Sequence, residues 1–347
     1  MADSQKTSVG IIGLGIIGSR VAAAVRRAGF SVMVWNRTPR PEPNFLSSPR
    51  EIAESADVIQ IFVRDGVALL EVIESLRPAL RENHVVINHS TVSPGETLEA
   101  ARLVAERKAA FLDAPFTGSR DAAELGELVY YLAGDEAVLE RVRPVLEASS
   151  RVIVPMGPVG AATYVKLAVN MITAAEIQVL SEALALLDRG GVPLTRLSEA
   201  LEYNLANSVT ISLKIPLMLT GELDARFSVK NMLKDLQIVL RSVESKKIDL
   251  PATSATAGSL MGAVQAGWGD EDFAAVSRHY PYAGSLKAHR QESAATPEAA
   301  APEVKTEEIA SSAAIAPPSE SVTTAPAKKS FFGFLKSSRG RSSRTDA

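Results

Sequence analysis

The chain has no cysteine among its 347 residues. Disulfides, thiolate metal sites and a cysteine nucleophile are therefore excluded. It has only four histidines, His84, His89, His279 and His289, and none has metal-ligand spacing, so no metal site is expected. A strong charge bias is missing too: the formal net charge is −3. Nothing global pulls the chain toward nucleic acid, which is not expected as a partner. No run reaches the roughly 18 uninterrupted apolar residues that a spanning helix needs. The start, MADSQKTSVGIIGLG, lacks the basic segment and cleavage pattern of a secretory signal. A cytoplasmic protein is the expectation. No internal repeat is visible. With 46% hydrophobic residues, the length allows two domains that each bury a core.

What is present begins with alternation. Ser8 to Leu14, Ser31 to Trp35, Asp57 to Val63, Val85 to Asn88, Phe111 to Asp113, Leu128 to Leu132 and Arg151 to Val154 read as strands. Helical patterns lie between several of them. Ile17 to Ala28 is one, closed by Gly29. Ser48-Pro-Arg-Glu51 and Ser93-Pro-Gly-Glu96 each put Ser at the N-cap, Pro at the first helical position and Glu at the third. Such alternation predicts a mostly parallel sheet covered on both faces. After about residue 157 the strands stop. Residues 158 to 189 form one long helical pattern closed by Gly190-Gly191, and four or five further helices follow to about residue 280.

Gly13-Leu14-Gly15-Ile16-Ile17-Gly18 matches G-x-G-x-x-G between a strand and a helix. The glycines permit a tight turn, close approach to a pyrophosphate and tight helix packing; the helix N-terminus supplies amides and positive dipole. The fold class is thus α/β, with an N-terminal doubly wound Rossmann domain followed by an all-α C-terminal domain. At the end of the second strand, an NAD site usually has a carboxylate for the ribose 2′-hydroxyl. Here Trp35 is followed by Asn36, Arg37 and Thr38. Arg37 can pair with a 2′-phosphate, and Asn36 and Thr38 can hydrogen-bond it, so NADP is favoured, with NAD possible. A solvated surface arginine is the plain alternative.

Lys166 and Asn170 open the long helix, four residues apart and so on one face. Small apolar residues surround them. A lysine beside an amide in such a stretch suits an acid/base whose pKa is lowered by desolvation. Taken alone, a snorkelling surface lysine would be the commoner reading.

It does not stand alone. Asp113-Ala-Pro-Phe-Thr117-Gly118-Ser119-Arg120-Asp-Ala-Ala123-Glu-Leu-Gly126-Glu-Leu128 resembles the substrate signature of the β-hydroxyacid dehydrogenase family, which includes 3-hydroxyisobutyrate dehydrogenase. The dinucleotide loop, Ser90-Thr91, the run from Gly157 through Lys166 to Asn170, and Lys234-Asp235-Leu236 after Phe227 are similar to that family and stand in its order, over about residues 8 to 282.

The resemblance implies an NAD(P)-dependent oxidoreductase that interconverts a small β-hydroxy acid, or a related aldehyde acid, and its carbonyl form. It implies that Lys166 is the general acid/base and that Asn170 helps hold the substrate. Thr117, Gly118 and Ser119 would bind the substrate carboxylate. Thr91 and Lys234 would lie against the nicotinamide end of the cofactor, with Asp235 orienting Lys234. Val63-Arg64 falls where the family has Leu-Pro beside the cofactor. A homodimer or homotetramer is expected.

Some positions depart from the pattern. Thr117 replaces Ser, and Ser119-Arg120 resembles the glyoxylate and succinic semialdehyde reductase branch. Arg120 could read a second carboxylate or merely steer anions. Asn88-His89 is unusual beside Ser90-Thr91; His89 could reach the nicotinamide side, although a packed loop histidine is commoner. Three rivals remain. A decarboxylating 6-phosphogluconate-type enzyme has His where Val169 stands. An imine-reductase-like enzyme lacks the helix lysine. A non-catalytic NADP-binding module would take its function from its tail.

The expected boundaries are residues 1–157 for the dinucleotide domain and 158–285 for the helical domain. Residues 286–327 read as a disordered linker, rich in Ala, Glu, Pro, Ser and Thr. Residues 328–347 form a basic aromatic tail, with Phe331, Phe332, Phe334 and Leu335 among Lys328, Lys329, Lys336, Arg339, Arg341 and Arg344. That pattern suits an anionic membrane surface or an acidic partner groove, or a solubilising tail with no partner.

Overall fold

A computed structural model describes residues 7–280 apart from Ser245. The expected linker and basic tail lie outside the described residues, as does the end of the helical region from residue 281.

Strands β1 (Ser8–Ile12), β2 (Ser31–Trp35), β3 (Val58–Ile61), β4 (Val85–Asn88) and β5 (Ala110–Asp113) run parallel. Helices α1 (Ile16–Arg27), α2 (Pro49–Ser55), α3 (Gly66–Leu76) and α4 (Pro94–Ala105) connect them. Then come β6 (Phe116–Thr117), α5 (Arg120–Leu125), β7 (Leu128–Ala133), α6 (Glu136–Glu147) and β8 (Ser150–Gly157). The sheet order is β2-β1-β3-β4-β5-β7-β6, with β8 also on β7. β7 runs antiparallel to β5 and β6 and parallel to β8. β3 and β4 are buried at every position, as parallel strands covered on both faces must be. β1 pairs with β2 on one side and β3 on the other, so the chain reverses direction across the sheet there. The crevice at such a switch point is where these folds take ligands, and the Gly13 loop opens into it.

Local signals account for several of the helix starts. Ser93 forms a full capping box with Glu96. Ser48 caps α2, but the Glu51 carboxylate turns to Ser47 instead of the cap backbone. Strand β6 has no sequence signal because two residues carry no periodicity; its pairing with β7 creates it.

Helices α7 (Ala161–Arg189), α8 (Thr195–Glu202), α9 (Val209–Thr220), α10 (Val229–Glu244) and α11 (Pro251–Gln265) follow. α7 is as long and apolar as a membrane span, but Ile177, Leu180 and Leu184 bury one side of it in a core with Leu236, Leu260 and Phe273. This core also encloses an ion pair: Lys214 Nζ lies 2.6 Å from Asp272 Oδ1. Asp272 further accepts from the Arg226 and Ala274 amides, and Lys214 sits over the Phe273 ring. The desolvation cost of the pair is offset by those extra bonds.

Candidate active site

The dinucleotide loop separates its three glycines by role. Gly13 has φ +96°, and a Cβ there would lie 2.0 Å from the Phe62 carbonyl oxygen of the β3 end. A Cβ on Gly18 would lie 2.0 Å from the Gly13 oxygen. Both are demanded by the protein's own packing. Gly15 is different: it has an ordinary φ of −72°, and a Cβ there would meet nothing within 4 Å. No steric or conformational need inside the protein calls for glycine at this N-cap. A pyrophosphate approaching the first turn of α1 does, so the loop fits a dinucleotide. Leu14 is buried beneath it, Ile16 is exposed and Ile17 is half-buried.

Asn36 proves to be part of this scaffold. Its Oδ1 accepts from the Leu14 amide at 2.9 Å and its Nδ2 donates to the Thr38 carbonyl at 2.8 Å. The amide ties the loop to the β2 end, and one Nδ2 hydrogen remains beyond the Thr38 bond for the 2′-phosphate expected there. Arg37 and Thr38 are exposed there, with no side-chain partner among the described residues.

Lys234, on α10, reaches back to the sheet. Its Nζ donates to the Thr91 carbonyl at 2.8 Å and the Arg64 carbonyl at 3.0 Å, and stands 2.9 Å from Asp235 Oδ1. The loop after β3 is held a second way, by the Val63 amide on Ser90 Oγ at 2.9 Å. Asp235, buried, accepts from Asn170 Nδ2 at 2.6 Å through its other oxygen. One carboxylate thus joins Lys234 on α10 to Asn170 on α7. Lys166 points to the same carboxylate's field but has no hydrogen bond or ion pair with a described residue. Burial pushes its pKa down to about 8, against Asp235, which raises it, and with Lys234, which lowers it further. It is a lysine that can hold or release a proton near neutral pH.

The first turn of α7 has no local side-chain cap. Asp113, at the end of β5 and fully buried, supplies one: it accepts from the Gly160 amide at 3.2 Å, the Thr163 amide at 2.9 Å and the Thr163 hydroxyl at 2.9 Å. Just past Asp113, Thr117 is half-buried on β6, and Gly118 takes φ +136°. Ser119 then caps α5, accepting from the Asp121 and Ala122 amides at 3.2 Å each. Its hydroxyl proton stays available to a carboxylate. Arg120 is exposed and, among the described residues, pairs only with its neighbour Asp121.

His89 packs in the interior. Its ring stacks on Phe62 at 4.5 Å, Nδ1 lies 2.7 Å from the Ala114 carbonyl and Nε2 lies 2.9 Å from the Gln60 side chain. Burial pushes its pKa down to about 3, so it is neutral and carries one N–H. That hydrogen goes to Ala114. Nε2 must then accept, which requires the Gln60 amide to turn its NH2 to the ring. Both nitrogens are engaged, and His89 is no proton donor.

Sequence reasoning missed the Asp113 cap and the Asn170–Asp235 bond. Both join residues 47 to 65 positions apart, for which no local spacing exists. Among the described residues no cluster of His, Cys, Asp and Glu could hold a metal.

Comparison with known proteins places this arrangement. Residues 8–157 match the model of the NAD binding domain of 6-phosphogluconate dehydrogenase. Residues 160–280 match the model of the NAD-binding region of NADP-dependent 3-hydroxyisobutyrate dehydrogenase. The chain is 31% identical over 255 residues to the 2-hydroxy-3-oxopropionate reductase of Escherichia coli, covering 71% of this chain and 87% of that one. It is 29% identical over 279 residues to the chloroplastic glyoxylate/succinic semialdehyde reductase 2 of Arabidopsis thaliana, covering 78% of each. Among solved structures, the 3-hydroxyisobutyrate dehydrogenase of Mycobacterium tuberculosis matches with a TM-score of 0.74 at 26% identity, over 79% of this chain and 99% of that one. The chain belongs to the β-hydroxyacid dehydrogenase family and is an NAD(P)-dependent oxidoreductase of the 3-hydroxyisobutyrate dehydrogenase type.

Proposed function

We propose that this enzyme uses NADPH to reduce a small aldehyde acid or keto acid to its hydroxy acid, with Lys166 as the general acid. The observation that carries the reading is Lys166 itself: partnerless among the described residues, one turn from Asn170, with a pKa near 8. The bound dinucleotide supplies the hydride. The protein's part is the rest. As charge develops on the carbonyl oxygen, the Lys166 ammonium gives it a proton; in the reverse direction the amine takes one. Asn170 is fixed by Asp235 through its amide nitrogen, which leaves its oxygen for the substrate or for Lys166. Thr117, the Gly118 and Ser119 amides and the Ser119 hydroxyl form a donor-rich turn suited to a carboxylate. Lys234 holds the Arg64 and Thr91 carbonyls, so that Val63, Arg64 and Thr91 line the cofactor side. Arg37 suits a 2′-phosphate because no carboxylate stands at the β2 end to repel one. The named activities of the relatives, on glyoxylate, succinic semialdehyde and 2-hydroxy-3-oxopropionate, support an aldehyde acid as substrate.

A homo-oligomer is part of the proposal. Tyr164, Ile172, Val179 and Leu186 recur every seven or eight residues along the outer side of α7 and are 45 to 74% exposed. A stripe at that spacing fits a helix of a second copy. Ile172→Glu with Val179→Glu should lower the mass seen by sedimentation velocity.

The test of function is NADPH oxidation against glyoxylate, succinic semialdehyde, methylmalonate semialdehyde and tartronate semialdehyde. At least one should turn over, with kcat falling as pH rises through about 8, where Lys166 loses its proton. Lys166→Ala should cost about 100-fold or more in kcat with NADPH affinity little changed. NADPH binding without turnover of any carbonyl would favour a non-catalytic module. Turnover of a cyclic imine alone would favour imine reduction.

A further inference from the structure

Thr163, Lys166 and Asn170 stand at i, i+3 and i+7 on α7, and so share one face of the helix. Each neighbour of Lys166 on that face is gripped by a buried carboxylate from elsewhere in the chain. Asn170, one turn after, is held by Asp235. Thr163, one turn before, is held by Asp113 through both its amide and its hydroxyl. The Thr163 hydroxyl also lies 3.0 Å from that of Thr97, whose own oxygen is 3.2 Å from the Ser93 carbonyl, so α4 joins the same clamp.

We infer that Asp113 is a positioning residue for the reaction: by holding the uncapped first turn of α7 against the β5 end, it sets the depth at which Lys166 sits in the cleft. The inference rests on the reading of Lys166 as the acid/base. The first four amides of a helix lack partners, and an anion at that end is favoured by the dipole. Gly160, with φ +93°, offers no side chain to serve them. Asp113 is 0% exposed, and its carboxyl carries the penalty of burial: its pKa is pushed up to about 6, against the opposing bonds from Thr163 and Gly160. A neutral amide at this position would avoid that penalty but could not accept three bonds. Asp113 also stands four residues before Thr117. The same strand end therefore fixes both the start of the substrate turn and the start of the helix that carries the lysine. An error of about 1 Å in such a relation costs on the order of 100-fold in rate.

The test uses the full chain with Asp113→Asn, Thr163→Val and Thr163→Ser. Three quantities are read: kcat and KM for the best aldehyde acid, the NADPH dissociation constant, and the pH dependence of Lys166 reductive methylation followed by mass spectrometry. Asp113→Asn and Thr163→Val should each lower kcat by on the order of 10- to 100-fold. NADPH affinity should stay within about twofold, because the Gly13 loop is held by other contacts. The titration of Lys166 should move upward from about 8 as the amine becomes more hydrated. Thr163→Ser, which keeps the hydroxyl, should restore the parent values. Should Asp113→Asn fail to fold, Thr163→Val carries the same test. Parent-like kcat and parent-like Lys166 titration in Thr163→Val would overturn the inference, whatever the melting temperature does. The failure of the acid/base reading looks different: Lys166→Ala would then turn over normally, while the methylation profile still reports whether Asp113 positions the amine.

Discussion

The sheet region of residues 8–157 and the helical region of residues 161–280 handle buried charge in opposite ways. In the sheet region, His89 is buried in its neutral form and Asp113 is stationed at a helix end with three donors. In the helical region, Lys214 and Asp272 are buried together as a close ion pair, and Asp235 bridges Lys234 and Asn170. The first region keeps one buried group neutral and turns the other to the start of α7. The second relies on specific charged partners and leaves a stripe of α7 outward. The groups of the proposed site come from where the two meet: Lys166 stands on α7, and Lys234 on α10 reaches back to the loops after β3 and β4.

The hardest way to break this contrast is Lys214→Met. It leaves Asp272 buried without its cation and should destabilise the chain by about 3 to 5 kcal/mol in urea unfolding, with the double variant Lys214→Met, Asp272→Leu recovering much of the loss. Recovery would mark the pair as replaceable. Gly13→Ala comes next. Its Cβ would strike the Phe62 carbonyl at 2.0 Å, and the positive φ adds roughly 1 to 2 kcal/mol, so the melting temperature should fall clearly. Gly15→Ala sharpens the point. Nothing in the protein opposes that methyl, so melting should stay at the parent value while NADPH affinity drops. Equal effects on stability would mean that Gly15 is as structural as Gly13.

Arg37→Ala should narrow the preference for NADPH over NADH by about 1 to 3 kcal/mol, the range for a bond to a charged group. Direct binding of both cofactors to parent and variant reads this; equal affinities in the parent would remove the case for NADP. The smallest effect is a pH dependence. His89 has a folded pKa near 3, below its ordinary 6.5. Its contribution is present above pH 6.5 and is lost as pH falls toward 3, by about 1.4 kcal/mol per unit. Asp113, raised to about 6, works the other way: ionising it costs the fold between about pH 4 and 6. The penalty of His89→Gln, measured by urea unfolding, should therefore shrink between pH 7.5 and pH 5. A constant penalty would mean that the imidazole is not held neutral.

Much of the frame was legible before the structure. Strand β2 and strand β4 have the bounds that their apolar runs predict: β4 is buried on both faces, which leaves little room for polar residues, while β2 alternates buried and more exposed positions at the sheet edge. Ser93 and Glu96 mark the start of α4 by chemistry confined to four residues. Gly13, Gly15 and Gly18 are legible as one six-residue motif between a strand and a helix. Less of the site could be read. Asn36 could be read only as a hydrogen-bonder of a 2′-phosphate, and its second task, accepting from the Leu14 amide, was not visible. His89 could be weighed only by frequency until both its nitrogens had named partners.

The amino-acid sequence by itself determined the alternating frame, the dinucleotide loop and the family, because each depends on residues close together or in a fixed order. Only the tertiary structure decided that Asp113 caps α7, that Asp235 joins Asn170 to Lys234, and that Lys166 is left without a partner among the described residues. These contacts span 47 to 65 residues of chain where a partner is named. A hydrogen bond acts over about 3 Å, so no spacing along the sequence can announce it until packing has brought its two ends together.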